Sequence, residues 1–573
     1  MTIKDLGTNM DRQWRIDLND NFRELSGFTE SATNALSKAN DAEQQSISAK
    51  QNADSAKQLA QEAKTKADSA NNTSNSVQEQ LNQIVIEGDS SVEAAQARLD
   101  EKGVLHPTLK NRMDADSTKI GVLQQDIPIE RQRQYAKIIK NNTISALSRY
   151  AFPTTFSLRY DESPIVFTDS KGGYVTNFDV SNFRHTGGKT VYVDTINGLS
   201  TNDGLSRNTP CQSVEKALVL SSNGDTILII NVEGSVIGRA GWAPDGIITK
   251  NVNIIAENKI IIFKGDIPSW TPSPGYANVY EITRSFVTRL VDMNSINVPV
   301  EYKKVGSVNE VQANVYSWYC DGTKTYVNCG SNKVPNNKVL PLLVTGKSMV
   351  SNAATQNSKI YLENLLLVGG DKNVHIVGDA NFNAHELYTK NCTFYFSTAL
   401  DAVLTQNAKR SYHQNSIAAY SVKDGFNYST TIGNSNIVDF IEVNCKGFAN
   451  GDNTINTANT HNGSTAHAKS RGVKINCTYY HNVGGQLIDV QGVKSVNLGC
   501  ITFNSRSSDV SYSHGMGTQG AQGVESCELW FEGCISFGNV SDVYVPSGET
   551  VHVRICQYDT VSGGGIKDFD ARL

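Results

Sequence analysis

Small or apolar residues recur from Phe28 to Ile84 at alternating steps of four and three: Phe28, Ala32, Ala35, Ala39, Ala42, Ser46, Ala49, Ala53, Ala56, Ala60, Ala63, Ala67, Ala70, Ser74, Val77, Leu81 and Ile84. An unbroken heptad pattern of this length predicts a left-handed coiled coil over 28–87. At 1.5 Å rise per residue the rod is about 85 Å long. Alanine at the core positions makes it thin, and each layer stabilises weakly because little apolar area is buried. Val77, Leu81 and Ile84 are the larger residues that clamp its end. Ahead of it, Trp14, Leu18, Phe22 and Leu25 fall on one face of a helix within 1–27. Such a face at the extreme N-terminus predicts attachment to another protein or to its own copies. A second helical segment spans 88–124, and 125–188 reads as a neck of turns and short strands.

The periodicity changes after 188. Thr190–Asp194 alternates as a strand, Asn202-Asp203-Gly204 and Asn208-Thr209-Pro210 are turns, and 213–220 is a short amphipathic helix before the apolar strand Thr226–Ile230. Further on, five cysteines share a local pattern: an aromatic residue three positions on and usually Asn five on. Cys445 has Phe448 and Asn450, Cys477 has Tyr480 and Asn482, and Cys534 has Phe537 and Asn539. Cys500 has Phe503 and then Ser505, and Cys392 has Tyr395. The gaps of 53, 32, 23 and 34 residues between them suit a solenoid of roughly 20–30 residues per coil. The cysteines then form an inward-facing stack of small apolar side chains, with loops inserted where the gap is long. The fold class expected is mainly β: a right-handed parallel β-helix over 189–573, preceded by the α-helical coiled-coil stalk.

Composition narrows the function classes. With 39% hydrophobic and 19% charged residues, 45 Gly and 13 Pro, the chain is turn-rich and globular over most of its length. A net charge of −5 without a basic block argues against nucleic acid as a partner. The polar start lacks the apolar core of a signal peptide, and no run of about 20 apolar residues predicts membrane insertion. The ten cysteines include no CxxC pair, so no metal site of the zinc-finger type is expected. Nothing in the sequence calls for a cofactor, and thiols of a cytosol-made protein stay reduced.

Residues 92–116, VEAAQARLDEKGVLHPTLKNRMDAD, resemble a segment of baseplate and tail-fibre proteins from phages of Gram-positive bacteria. The opening at 190–230 resembles that of the pectate-lyase-like β-helices, in which the short helix covers the open end of the first coil. KDGFNY (423–428), IVDFIEVNCKGFANGDN (437–453), HNGSTAH (461–467) and GVKINCTYYHNVGGQLIDV (472–490) are similar to phage and bacterial surface β-helix proteins. The resemblance implies a homotrimer in the virion tail, made in the host cytoplasm. It further implies attachment to baseplate or tail proteins through the N-terminus, and contact with a host cell-surface glycan.

Candidate chemistry concentrates between Asp424 and Asp489. Catalytic candidates are Asp424, Asp439, Glu442, Asp489 and His467, since paired carboxylates about 5–9.5 Å apart serve glycoside hydrolysis. Carbohydrate-binding candidates are Asp452, His461, His467, His481 and Tyr480. His461, His467 and His481 have no diagnostic ligand spacing, so no metal is expected. Asp and Asn also cap β-helix turns with no chemical role. In relatives NGSTAH tends to continue with Asp-Gly. Here Ala468-Lys469-Ser470 follows, which removes one acid. The leading reading is a tail fibre that binds a surface polysaccharide in host adsorption. The alternatives are a tailspike depolymerase (glycosidase or polysaccharide lyase) and a structural baseplate fibre without glycan binding.

Overall fold

The computed structural model describes residues 147–568 apart from 170–171, 244, 331–332, 345, 432–436, 452–459 and 508, together with three helical positions, Asn34, Ser37 and Lys38. The chain divides into two compact units, Met1–Met113 and Asp114–Leu573. The attachment helix, the rest of the stalk, the second helical segment and the first part of the neck lie outside the described residues.

The described residues of the second unit build a parallel β-helix. One coil consists of Glu386–Lys390, Thr393–Tyr395 and Val403–Gln406, and the next of Arg410–Gln414, Ile417–Ala419 and Phe426–Ser429. The first strands of successive coils stack as sheet A, the second as sheet B and the third as sheet C. Pairing is in register: Glu386 lies beside Arg410, then Asp439, Arg471, Lys494 and Glu528. Sheet C contains ten strands, from Ile247–Ile248 to Val561–Gly563. Alternate side chains point inward, so Leu387, Phe394, Val403, Phe426, Leu529 and Phe531 belong to one continuous core.

The turn from sheet A to sheet B has a fixed grammar. Asn364, Asn391, Asn415, Asn444 and Asn476 adopt left-handed backbone with φ between 52° and 59°. Asparagine tolerates this region better than most residues. Their side chains form a ladder, with Asn391, Asn415 and Asn444 each donating Nδ2 to the preceding Oδ1 at 3.2, 3.1 and 3.2 Å. The next position packs inward as Leu365 on the first of these coils and as a small residue on the later ones: Cys392, Ser416, Cys445, Cys477, Cys500, Cys534 and Cys556. The interval from Cys392 to Cys445 is therefore two coils with Ser416 as the middle rung. The loop insertion expected there is absent. All ten cysteines are free thiols.

The helix Val214–Leu220 closes the N-terminal end. Ser213 caps it by accepting from Lys216 N at 3.1 Å, and Val214, Ala217 and Leu218 are buried in the core. Reading 189–573 as β-helix did not separate an insertion. Between Val252–Phe263 and Val350–Asn352 the chain leaves the solenoid. It builds two mainly antiparallel sheets and the helix Val308–Ala313 around Leu290, Tyr302, Trp318 and Val327. Ser307 and Glu310 form a capping box on that helix, Ser307 Oγ accepting from Glu310 N at 3.3 Å and Glu310 Oε2 from Gly306 N at 3.1 Å.

The described part of the neck is a strap across the outer face of sheet A. Tyr150, Phe156, Leu158, Val166, Tyr174 and Val180 cover Tyr361, Tyr388, Tyr412, Ile441, Val473, Val496 and Trp530. Burying each such side chain contributes about 1.5–3 kcal/mol. The strap runs against the direction of the coils, from Phe156 on Trp530 (6.0 Å between ring centroids) to Phe183 stacked on Tyr388 (4.6 Å). The asparagine ladder ends where the strap crosses it. Asn476 Nδ2 donates to Tyr174 O at 3.0 Å, and the next two rungs are Gly499 and Gly533. A Cβ on Gly533 would lie 2.7 Å from Tyr174 Cε2 and 2.8 Å from Gly172 Cα. Restoring the ladder residue with Gly533→Asn is thus expected to destabilise the protein by about 1–3 kcal/mol through overpacking, read as a lower urea midpoint.

Candidate functional site

The coil geometry distributes the sequence-predicted residues over five places. Glu442 and Asp489 point into the solenoid. Lys474 Nζ lies 3.0 and 3.1 Å from the two Asp489 oxygens, which also accept from Ala466 N and Ser495 Oγ, both at 2.8 Å. Glu442 accepts from Ser464 Oγ at 2.6 Å and Tyr479 OH at 2.8 Å, and burial pushes its pKa up. Lys474, Asp489 and Glu442 are all fully buried. Neither acid reaches a glycan, so both are core groups. One oxygen each of Glu442 and the sulfurs of Cys445 and Cys477 lie within 4.8 Å of one another. Glu442 already has donors from the protein and Lys474 beside it, so this cluster is read as core.

Asp439 lies on the outer face of sheet A beneath the strap, where Oδ2 accepts from Arg159 N at 2.7 Å and Tyr160 N at 2.8 Å. It anchors the strap. Burial raises its pKa to about 6 against the pull of those two amides. His467 sits in the turn after sheet C, half-buried, with Nε2 3.3 Å from Thr465 Oγ1, and burial lowers its pKa to about 4. Asp452 lies outside the described residues.

Tyr480 and His481 stand on the outer face of sheet B. There Phe448, Tyr480, Phe503 and Phe537 stack at centroid spacings of 4.8, 4.7 and 5.2 Å, one ring per coil. Three of the four rings keep partial exposure. Below them the ladder continues edge-to-face through Tyr420 to Tyr395. His481 packs against Tyr480 and Phe503, and burial lowers its pKa to about 4.

Asp424 and His461 meet at the turn from sheet B to sheet C, where the register assembles a cluster. Val374, Val403, Phe426 and Ser464 pair in sheet C, so the residues two places earlier stack: Lys372, Asp401, Asp424 and Asn462. Asp401 Oδ1 accepts from Asp424 N at 3.1 Å, Asp424 Oδ1 from Asn462 N at 2.6 Å, and Asp424 Oδ2 from Asn427 Nδ2 at 3.0 Å. These bonds cap the turns. Burial, and for Asp424 the neighbouring Asp401 charge as well, pushes both pKa values up. Lys372 and Lys423 flank the pair and oppose the shift at Asp401.

Three buried polar atoms of this cluster have no hydrogen-bond partner: His461 Nε2, Asn427 Oδ1 and Asn462 Oδ1. Leaving such an atom unsatisfied costs about 1–3 kcal/mol, and all three atoms are shielded from solvent. His461 is held neutral by burial, its pKa lowered to about 4. Sequence reasoning missed Asp401, Asn427 and Asn462. For Asp401 and Asn462 the signal was the register, a polar residue two places before four successive sheet C strands, which is unreadable until the coils are aligned.

No protein-family model and no curated protein matches the chain. Among solved structures it is similar to the complex of XylC with xylose, at 10% identity and TM-score 0.38 over 64% of this chain and 68% of that one. It is similar to pectate lyase Pel9A, at 12% identity and TM-score 0.34 over 67% and 80%, and to the Dettilon tailspike protein, at 12% and 0.28 over 70% and 73%. Likenesses this distant carry no functional argument, so function rests on the side chains. Among the described residues no helix is long and apolar enough to cross a membrane.

The raised carboxyls have a pH signature. Between pH about 4, where an unfolded Asp ionises, and pH about 6, where folded Asp439 does, the folded state holds a proton that the unfolded state has released. Stability from this group therefore falls as pH rises through the window. Asp439→Asn keeps an acceptor for the strap amides and has no proton to lose. Its stability relative to wild type is expected to rise from pH 4 to pH 6 and level off above, in urea titrations at each pH. A flat difference would contradict the raised pKa.

Proposed function

We propose that this chain is a phage tail fibre whose β-helix binds an extended cell-surface polysaccharide along the outer face of sheet B. The observation that carries this is the ladder of outward rings Phe448, Tyr480, Phe503 and Phe537, one per coil and three of them partly exposed. Rings offer apolar surface to sugar faces, and the polar turn to sheet C adjoins them. A repeat of one coil per few ångströms suits a polymer, since solenoids present long regular surfaces. Trimerisation through the stalk places three such faces on one fibre and raises avidity.

A second reading is cleavage. It is favoured by one observation, the neighbouring carboxyl groups of Asp401 and Asp424, whose pKa values burial pushes up, as an acid and base pair requires. Binding without cleavage is preferred because both carboxylates are spent on capping backbone amides and are at most 8% exposed. The test is binding of host envelope polysaccharide by Phe448→Ala and Tyr480→Ala variants. Each is expected to weaken adsorption about ten-fold, as loss of one stacking contact does, with the oligomer mass unchanged by light scattering. Wild-type adsorption in both variants would remove the site from this face.

A further inference from the structure

The ring ladder on sheet B is closed at one end and open at the other. On the earlier coils the same outer face lies under the insertion, where Val291, Met293, Leu340 and Leu342 form one buried cluster with Tyr395, Phe396 and Ala419. Ala419 is fully buried, whereas Phe448, beside it in register on the next coil, is partly exposed. The cover therefore stops between two adjacent coils. At the far end Phe537 is partly exposed, and the following coil places the exposed Gln557 beside Ile535.

The closed end is pinned. Arg289, 4% exposed, reaches from the insertion to donate to Tyr420 O at 2.6 Å and Ser397 O at 3.1 Å, and it donates to both oxygens of Glu301 at 2.7 Å. Its guanidinium lies 5.0 Å from the Phe396 ring centre, within cation–π range. Tyr420 stands edge-to-face on Phe448 at 5.4 Å and 80°, while the rings from Phe448 to Phe537 are parallel to their neighbours within 7°. A chain laid along the ladder meets this crosswise ring and the insertion behind it.

Polarity changes along the same path. Beside the ladder runs a second outward row, Lys446, Thr478, Ile501 and Ile535. The open end is thus hydrocarbon, and the closed end carries hydrogen-bonding groups, the Tyr420 hydroxyl and the Glu301 carboxylate. Burial lifts the Tyr420 hydroxyl to about 12; Arg506 opposes the rise and Glu301 adds to it, which places both charges about that hydroxyl. The last sugar of a chain differs from an internal one by a free hydroxyl, and the closed end is where the protein supplies partners for it.

We propose that sheet B takes the terminus of a polysaccharide, with the last sugar against Tyr420 and Glu301 and the chain running out over Phe537, an assignment that rests on the glycan-binding reading of this face. The test is size-exclusion chromatography with light scattering on full-length protein in excess over host envelope polysaccharide separated into length fractions. The amount of protein bound per polymer chain is expected to be the same in every fraction. Borohydride reduction of the polymer then tells its ends apart: lost binding assigns the reducing end, and unchanged binding the opposite one. Tyr420→Ala keeps the carbonyl that holds Arg289, and is expected to weaken binding of the shortest fraction about ten-fold. Protein bound in proportion to polymer length, or wild-type affinity in Tyr420→Ala, overturns the assignment and leaves the glycan-binding reading standing. Absence of a complex with every fraction overturns both.

Discussion

Asp489→Ala is expected to lose about 3–5 kcal/mol of folding stability, because it strands the Lys474 ammonium in the solenoid interior. Both side chains are fully buried, and the pair is bidentate at 3.0 and 3.1 Å. The substitution also removes the acceptor for Ser495 Oγ and Ala466 N. A double variant, Lys474→Met with Asp489→Leu, should recover much of the loss, since an apolar pair of similar volume replaces two desolvated charges. Urea denaturation of all three proteins measures this. A loss below about 1 kcal/mol in the single variant would mean that the pair is solvated, as exposed pairs are.

Trp242→Ala is expected to cost about 3–5 kcal/mol, the range for removing a buried large aromatic ring. Trp242 is 1% exposed, and Nε1 donates to Met349 O at 2.8 Å, tying the first coil to the return of the insertion. Its carbonyl accepts from Glu215 N at 3.2 Å, and Gly241 O accepts from Val214 N at 2.9 Å, so it also holds the capping helix. The loss should therefore be accompanied by faster amide exchange in Val214–Leu220 and in Val350–Asn352. Loss of stability without exchange at the helix would show that the helix is held by its own core contacts alone.

The fold was legible where the sequence repeats a chemical unit. Cysteine followed by an aromatic and asparagine marks the inward rung, the outer ring and the polar rung of one turn, all of them local. The repeat failed at Ser416, where serine fills the cysteine position and bonds Thr389 Oγ1 27 residues away, so no local window holds it. The asparagine ladder lay outside that repeat, and its positions Gly499 and Gly533 yield to the strap. The strap was obscure because its apolar residues find their partners about 200–370 positions later on sheet A. Acidic residues misled for a related reason. Glu442, Asp489 and Asp439 look alike in sequence, and strand parity together with the strap decides that two face the core and one lies beneath a cover. Asp424 and His461 share the turn from sheet B to sheet C, and their neighbour Asp401 follows from register.

The central claim is that the aromatic face of sheet B holds an extended polysaccharide without cutting it. The most direct measurement is incubation of the purified full-length protein with host envelope polysaccharide, followed by size-exclusion chromatography with light scattering on protein and polymer together. A stable complex is expected, lost in Tyr480→Ala, with the polymer released from it at its original length. No complex, or polymer shortened by wild type and spared by Asp424→Asn, would contradict it.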